Sequence, residues 1–353
     1  MKPIEIGDYR LNIPLIQGGM GIGVSRCSLA GAVAKEGGMG VISAAQVGYD
    51  HPDFRSRPEE SNLLELPNQI RKAKKIAQGC GMVAVNLMAV TQLYKEYVEC
   101  ICEAGADAIV TGAGLPTSLP EYTHGFDTKI APIVSTAKAM QVILKYWDRK
   151  YSRTADFLVV EGPKAGGHLG FSFEILAQLS SYDFDAEVRA IVAAKRVFEE
   201  KYQRRIPVFL AGGISDAQDV RHALSLGTDG VQVATRFVAT EECDASDKYK
   251  EAYIQAKEED VTIIHSPVGM PGRALRNAFV ERMQAGQEKI VGCYNCLKAC
   301  NPKTAPYCIS QALINAVRGD LDDGLIFCGA RVGEVNRMTT VKNVIRDLAP
   351  GWA

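Results

Sequence analysis

One histidine stands in a stretch of chain suited to close contact with a flat ligand: Ala165-Gly166-Gly167-His168-Leu169-Gly170-Phe171. The apolar run Phe157-Leu158-Val159-Val160 precedes it and reads as a buried strand. Glycines allow positive φ and let a ligand approach the backbone. Imidazole titrates near neutral pH, so His168 is a candidate to take or give a proton. The plainer reading is a tight turn with a solvated His.

Two other strand-end segments, the first bearing two glycines, point to a phosphate. Ala211-Gly212-Gly213-Ile214-Ser215 and Val233-Ala234-Thr235-Arg236 each follow an apolar run. Backbone N–H groups after neighbouring strands, with a helix N-terminus, make an anion site. Ser215-Asp216 also suits the N-cap of the next helix. Further strand-end groups are Gln17-Gly18-Gly19-Met20-Gly21, Asn86, Thr111-Gly112-Ala113-Gly114, Ser135 and Glu161-Gly162. Asn86 ends an otherwise apolar run, so its amide needs a partner, either a ligand or a structural hydrogen bond.

These groups need a scaffold that brings strand ends to one mouth. Apolar runs recur at 13–19, 40–45, 82–88, 108–114, 130–135, 157–162, 207–213 and 230–237. Amphipathic segments lie between them, such as 66–78, 92–104, 137–150, 186–202 and 217–226. Strand alternating with helix predicts parallel pairing with right-handed crossovers. Eight units predict an α/β fold, a (β/α)8 TIM barrel, with a smaller, mainly helical cap near the C-terminus. The expected division is a barrel over 1–243, a cap with the cysteine-rich stretch over 244–323, and a segment returning to the barrel over 324–353.

The 353 residues include 40 basic and 41 acidic side chains, for a net charge of -1. No like-charge block marks a nucleic-acid or membrane surface. No apolar run reaches membrane-span length, and the N-terminus lacks a signal-peptide pattern. A cytoplasmic protein acting on a small-molecule substrate is expected, with a homodimer as its assembly.

Its ten cysteines should then be thiols or metal ligands. Cys293, Cys296, Cys300 and Cys308 fall within sixteen residues, a density suited to an iron–sulfur cluster or zinc. Reduced cysteines packed in the cap are the alternative. Arg273 and Arg276, three apart in a segment read as helical, are candidates to meet an anionic substrate. His265 is placed to reach the mouth, and Trp147 reads as packing.

In combination these motifs resemble the FMN-dependent barrels of nitronate monooxygenase (formerly 2-nitropropane dioxygenase) and type II enoyl-acyl-carrier-protein reductase. The likeness is carried by Ile16-Gln17-Gly18-Gly19-Met20, Val85-Asn86, Thr111-Gly112-Ala113-Gly114, Glu161-Gly162, Ala165-Gly166-Gly167-His168, Ala211-Gly212-Gly213-Ile214 and Gln232-Val233-Ala234-Thr235-Arg236-Phe237. Gly269-Met270-Pro271-Gly272-Arg273-Ala274-Leu275-Arg276-Asn277 matches the cap.

The resemblance implies bound FMN. Met20 and neighbouring backbone would contact the isoalloxazine, with Gln17 and Asn86 nearby. Ser135, Gly166, Gly167, Gly212, Gly213, Ala234 and Thr235 would surround the ribityl phosphate. His168 would face the flavin as acid or base. Two departures stand out. Ala234 replaces a usual glycine, and Lys164 replaces a common acidic residue.

Two chemistries share such a site: oxidation of an alkyl nitronate to a carbonyl compound and nitrite, or reduction of an enoyl thioester with NAD(P)H as donor. Leu169 after His168 leans toward the reductase; the cap and the length lean toward the monooxygenase. An FMN barrel acting as an isomerase and a non-flavin phosphosugar enzyme are the other readings. The Cys-x2-Cys-x3-Cys part is also similar to cluster ligands of flavin-dependent dienoyl reductases.

Overall fold

The computed structural model describes residues 2–298 and 300–350. Thus Ala299 in the cap and the last three residues of the C-terminal segment lie outside the described residues. The strands are β1 (Ile4–Ile6), β2 (Tyr9–Leu11), β3 (Leu15–Gln17), β4 (Met39–Ser43), β5 (Met82–Met88), β6 (Ala108–Gly112), β7 (Lys129–Val134), β8 (Leu158–Glu161), β9 (Gly167–His168), β10 (Val208–Ala211), β11 (Gly230–Val233), β12 (Val261–His265) and β13 (Pro271–Leu275). Eight of them close a parallel barrel, in the order β3-β4-β5-β6-β7-β8-β10-β11 and back to β3. Each of the eight apolar runs supplies one barrel strand.

Barrel strands are covered on both faces, so both sets of alternating side chains are apolar. The inward set includes Ile16, Met39, Val41, Ala84, Val110, Val159 and Phe209. Inside the barrel Phe157 and Phe209 pack edge to face, with centroids 5.8 Å apart. The outward set, such as Leu15, Ile42, Val83, Val85 and Ile109, meets the helices. Gly40 lets a helix come this close: a Cβ there would lie 1.8 Å from the carbonyl oxygen of Ala30. The antiparallel hairpin β1–β2 was not anticipated; its strands are three residues long. It adds Ile4, Ile6 and Leu11 to the interior cluster.

The helices follow local signals. Thr136 caps Ala137–Tyr151 by accepting from the N–H of Ala139 at 3.1 Å. The expected single segment at 186–202 is two helices, Phe184–Ala194 and Arg196–Tyr202. Pro67 sits inside the helix Pro58–Ala77 and cannot donate to the carbonyl of Leu63; the Cys100 thiol takes that oxygen at 3.6 Å. Trp147 is fully buried and donates to the Pro116 carbonyl at 3.0 Å. No helix among the described residues is long and apolar enough to cross a membrane.

Beyond the barrel the chain is less helical than expected. Residues 271–275 form β13, where a Gly/Pro-rich stretch leading into a helix near 274 was expected, and β12-β13-β9 make a three-stranded antiparallel sheet. The helices Asp247–Gln255, Ala278–Gln284 and Ile309–Arg318 complete this region. The helix Val341–Leu348, capped by Thr340, buries Val341, Val344, Ile345 and Leu348 in the cluster around the barrel.

Candidate active site

A cavity of about 510 Å³ opens at the C-terminal ends of the barrel strands. That is a volume typical of cofactor and small-molecule sites. All eight barrel strands reach it. Gly18 and Gly19 follow β3, Ser43 ends β4, Asn86 and Met88 close β5, and Gly112 ends β6. Ser135 follows β7, Glu161 ends β8, Gly212 and Gly213 follow β10, and Gln232 and Ala234 close β11. Met20, Ala165, Gly166, Gly167, His168 and Thr235 also line it, as the motifs predicted.

Three expected cofactor residues do not line it, for one shared reason. Side chains alternate in and out along a strand. Ile16, Val110 and Val159 point into the barrel. Gln17 and Thr111, one residue on, and Gly162, three residues on, have the outward parity. Gln17 is buried, and its Oε1 accepts from the N–H of Val41 at 3.1 Å, tying β3 to β4. Thr111 donates to the Leu87 carbonyl at 2.7 Å. Gly162 donates its N–H to the Ala211 carbonyl at 2.9 Å. The same parity turns Asn86 inward, where its Nδ2 donates to the Val110 carbonyl at 3.3 Å. It also selects Gln232, which the motif reading passed over.

The loop after β10 is held by two carboxylates. Asp216 caps the helix Ala217–Ser225, accepting from the N–H of Gln218 at 2.7 Å and of Asp219 at 2.9 Å. Asp219 returns the contact to the N–H of Ser215 at 2.8 Å. Gly212 has φ +93°, and a Cβ there would stand 2.9 Å from the Gly162 carbonyl oxygen. Backbone approach this close leaves no room for a side chain.

His168 lies on β9, paired with Gly272 of β13. Its Nε2 is 2.8 Å from the Ser266 hydroxyl, and its ring meets Phe327 edge to face at 5.1 Å. Burial lowers the imidazole pKa to about 4, so the ring is neutral at physiological pH. The Ser266 oxygen also accepts from the N–H of Val268 at 3.3 Å. Beside it, Tyr307 is buried and its hydroxyl lacks a partner within hydrogen-bond geometry. Burial raises the phenol and the Ser266 hydroxyl pulls it back.

Glu161 faces the cavity with little solvation, which raises its pKa to about 8; the Gly170 N–H and the Arg273 guanidinium pull the other way. Arg273 is itself buried and donates to the Ala165 carbonyl under the His168 loop. It sits on β13 and Arg276 is exposed beyond it, so the two do not form the anion-facing helix pair that their spacing suggested. His265 is exposed and stacks on Phe173 at 4.1 Å, away from the cavity wall. Leu169 is buried among Ala165, Phe171 and Leu176 and is not part of the cavity wall.

Residues from the cap, Tyr253, Met270 and Cys296, and from the C-terminal segment, Phe327, Gly329 and Arg331, complete the wall. Gly329 donates its N–H to the Thr235 hydroxyl at 3.1 Å, and Arg331 donates to the Gly213 carbonyl at 3.2 Å. The apolar Leu325-Ile326-Phe327 followed by small Cys328-Gly329-Ala330 was the only sequence sign of this segment. Of the four clustered cysteines, Cys296 reaches the cavity. Among the described residues no three His, Cys, Asp or Glu side chains gather where they could hold a metal ion.

The site fits FMN on its own terms. The barrel mouth offers glycine, serine or alanine at the ends of six of its eight strands, Asn86 and Glu161 at the other two, two adjacent loops with backbone donors, and no bulky side chain at Gly212. The chain matches the family model described as nitronate monooxygenase over residues 5–351. It is 26% identical over 304 residues to a probable nitronate monooxygenase of Staphylococcus saprophyticus, covering 80% of this chain and 81% of that one. It superposes on FabK from Thermotoga maritima with a TM-score of 0.70 at 26% identity, covering 96% and 92% of the two chains. The nitroalkane oxidase of Streptomyces ansochromogenes shares the fold, with a TM-score of 0.71 at 19% identity over 96% and 95% of the chains. On a match that spans nearly its whole length, the chain belongs to the nitronate monooxygenase family of FMN-dependent oxidoreductases.

Proposed function

We propose that this chain oxidises alkyl nitronates, with oxygen, to a carbonyl compound and nitrite, and that His168 is its catalytic base. One observation carries the reading: a neutral imidazole faces the cavity with Nε2 anchored to Ser266 at 2.8 Å. Ser266 also accepts from the Val268 N–H at 3.3 Å. In this reading Nε2–H donates to the Ser266 oxygen, which leaves Nδ1 as the basic atom. A base of this kind removes the carbon-bound proton of a neutral nitroalkane, or holds a nitronate once protonated.

Bound FMN supplies the electron acceptor and the reaction with oxygen. Gly18, Gly19, Met20 and Asn86 would hold its ring; Ser135, Gly166, Gly167, Gly212, Gly213, Ala234 and Thr235 would hold its phosphate arm. Glu161 and Ala165 would border the ring and its arm. Lys164, exposed at the rim, places a cation where anionic substrate enters.

The likeness to FabK supports a second reading, an ene-reductase fed by NAD(P)H. Anaerobic stopped-flow of the flavin-loaded protein separates the two. Bleaching by propyl-2-nitronate and not by NADH or NADPH is expected. Fast bleaching by a nicotinamide alone would reject the monooxygenase reading. We further propose a cytoplasmic homodimer, checked by light scattering and cell fractionation.

A further inference from the structure

A strap from the C-terminal segment crosses all three loops that would hold the phosphate arm. At the His168 loop, a Cβ on Gly166 would lie 2.5 Å from the Cys328 carbonyl carbon, so the two backbones touch. Ala330 donates its N–H to the Lys164 carbonyl at 3.1 Å. At the end of β11, Gly329 donates to the Thr235 hydroxyl, and a Cβ on Gly329 would stand 2.7 Å from that oxygen. Arg331 lies against the loop after β10. Cys328, Gly329, Ala330 and Arg331 all line the cavity.

Arg331 holds the loop after β10 through both of its terminal nitrogens. One donates to the Gly213 carbonyl at 3.2 Å and to Asp219. The other stands 3.7 Å from Asp216. Its Nε reaches Glu334 at 2.6 Å, which anchors the guanidinium within its own segment. From just past β11, Arg236 donates to the Ser215 carbonyl. Two carbonyls of this loop are thus taken by guanidinium groups. A trans peptide points its carbonyl and the following N–H in opposite directions. Fixing the Gly213 carbonyl therefore fixes the Ile214 N–H. The N–H groups of Gly213 and Ile214 take no backbone acceptor among the described residues, and both residues line the cavity.

Charge acts in the same direction. Asp219 accepts from the N–H of Ser215 at 2.8 Å, and Asp216 begins the next helix. Two carboxylates so placed repel a phosphate dianion. Arg331 pairs with both and offsets them.

Resting on the reading that the flavin's phosphate arm lies at this end of the cavity, we infer that Arg331 is a positioning residue for that phosphate: it sets the backbone donors of the 212–215 loop and offsets Asp216 and Asp219. A determinant of cofactor choice then lies in the C-terminal segment, 118 positions from the carbonyl it holds.

The test compares FMN with riboflavin, which has the same ring and ribityl chain and no phosphate. Full-length protein is stripped of flavin, and each ligand is titrated by its fluorescence. Wild type should bind FMN more tightly than riboflavin. Arg331→Ala should weaken FMN about tenfold or more while riboflavin moves less than about threefold. A merely structural role would weaken both alike. Arg331→Lys keeps the charge without the fork and should recover part of the FMN affinity. Should Arg331→Ala not fold, hydrogen exchange of the wild type decides: FMN, and not riboflavin, should slow the amides of 327–331 and 212–215. Equal slowing by both flavins would overturn the role of Arg331. So would a wild type that prefers FMN beside an Arg331→Ala that prefers it as strongly, with the phosphate reading left standing. A wild type that binds both flavins equally would overturn the phosphate reading and the role of Arg331 together.

Discussion

Nε2 of His168 and the hydroxyl of Ser266 stand 2.8 Å apart across 98 positions of sequence. The contact joins the proposed base to the cap and occupies one of its two imidazole nitrogens. Ser266→Ala should therefore lower kcat/KM for neutral nitroalkanes by about tenfold or less, the worth of one orienting hydrogen bond. Flavin content should not change. The distinguishing readout is the pH profile, because an imidazole no longer held in one tautomer should also show a shifted pKa.

His168→Ala should reduce kcat/KM for a neutral nitroalkane by about 10²–10⁴, the usual worth of a general base. A preformed nitronate needs no deprotonation and should lose far less. For the wild type, a pKa near 4 predicts a level rate through pH 6.5, where an ordinary histidine would break. Steady-state oxygen uptake between pH 5 and 8 checks both points. A full break near 6.5 would show that the ring is solvated in the working enzyme.

Glu161 gives a stability prediction of opposite sense. Its carboxyl titrates near 8 when folded, against 4.5 as the ordinary value. Between those values the unfolded chain has released a proton that the folded chain retains. Stability from this group is full below about pH 4.5 and falls as pH rises toward 8. Glu161→Gln should flatten that dependence, so that its melting temperature exceeds the wild type's at pH 8 by several degrees and matches it near pH 5. Thermal melts of flavin-loaded protein across this range decide it.

Gln17 and Asn86 make a matched pair. Gln17→Leu leaves the buried N–H of Val41 without its acceptor and should cost about 1–3 kcal/mol of stability, with flavin affinity unchanged. Asn86→Leu faces the cavity and should weaken flavin binding by about tenfold or more. Denaturant melts paired with flavin titration read the two effects separately. Equal loss of flavin in both variants would contradict the inward–outward parity assigned to β3 and β5.

The barrel was legible because a strand buried on both faces writes itself as an unbroken apolar run, and eight such runs with intervening helices leave few topologies. The strand ends were legible as a set but not individually. Gln17, Thr111 and Gly162 sat in the right motifs on the wrong side of the sheet; counting in twos from the interior residues Ile16, Val110 and Val159 would have separated them. The β1–β2 hairpin was missed because three-residue strands carry no period. The strand at 271–275 was hidden by Pro271 and Gly272, which read as a turn; Pro271 is tolerated because it begins the strand. Ser266 and Phe327 reach His168 only through the folding of the cap, and no local pattern announces them.

The pairing of Gly272 with His168 has a bearing on how such enzymes are altered. The cap strand beside the cavity and the proposed base share one backbone ladder, since the edge of the cap sheet is the backbone of the histidine itself. Substrate range and acid–base chemistry are therefore not separable modules. A cap transplanted from a relative would also replace the backbone partner of His168, and a library aimed at a wider entrance through β13 would also vary the setting of the proposed base.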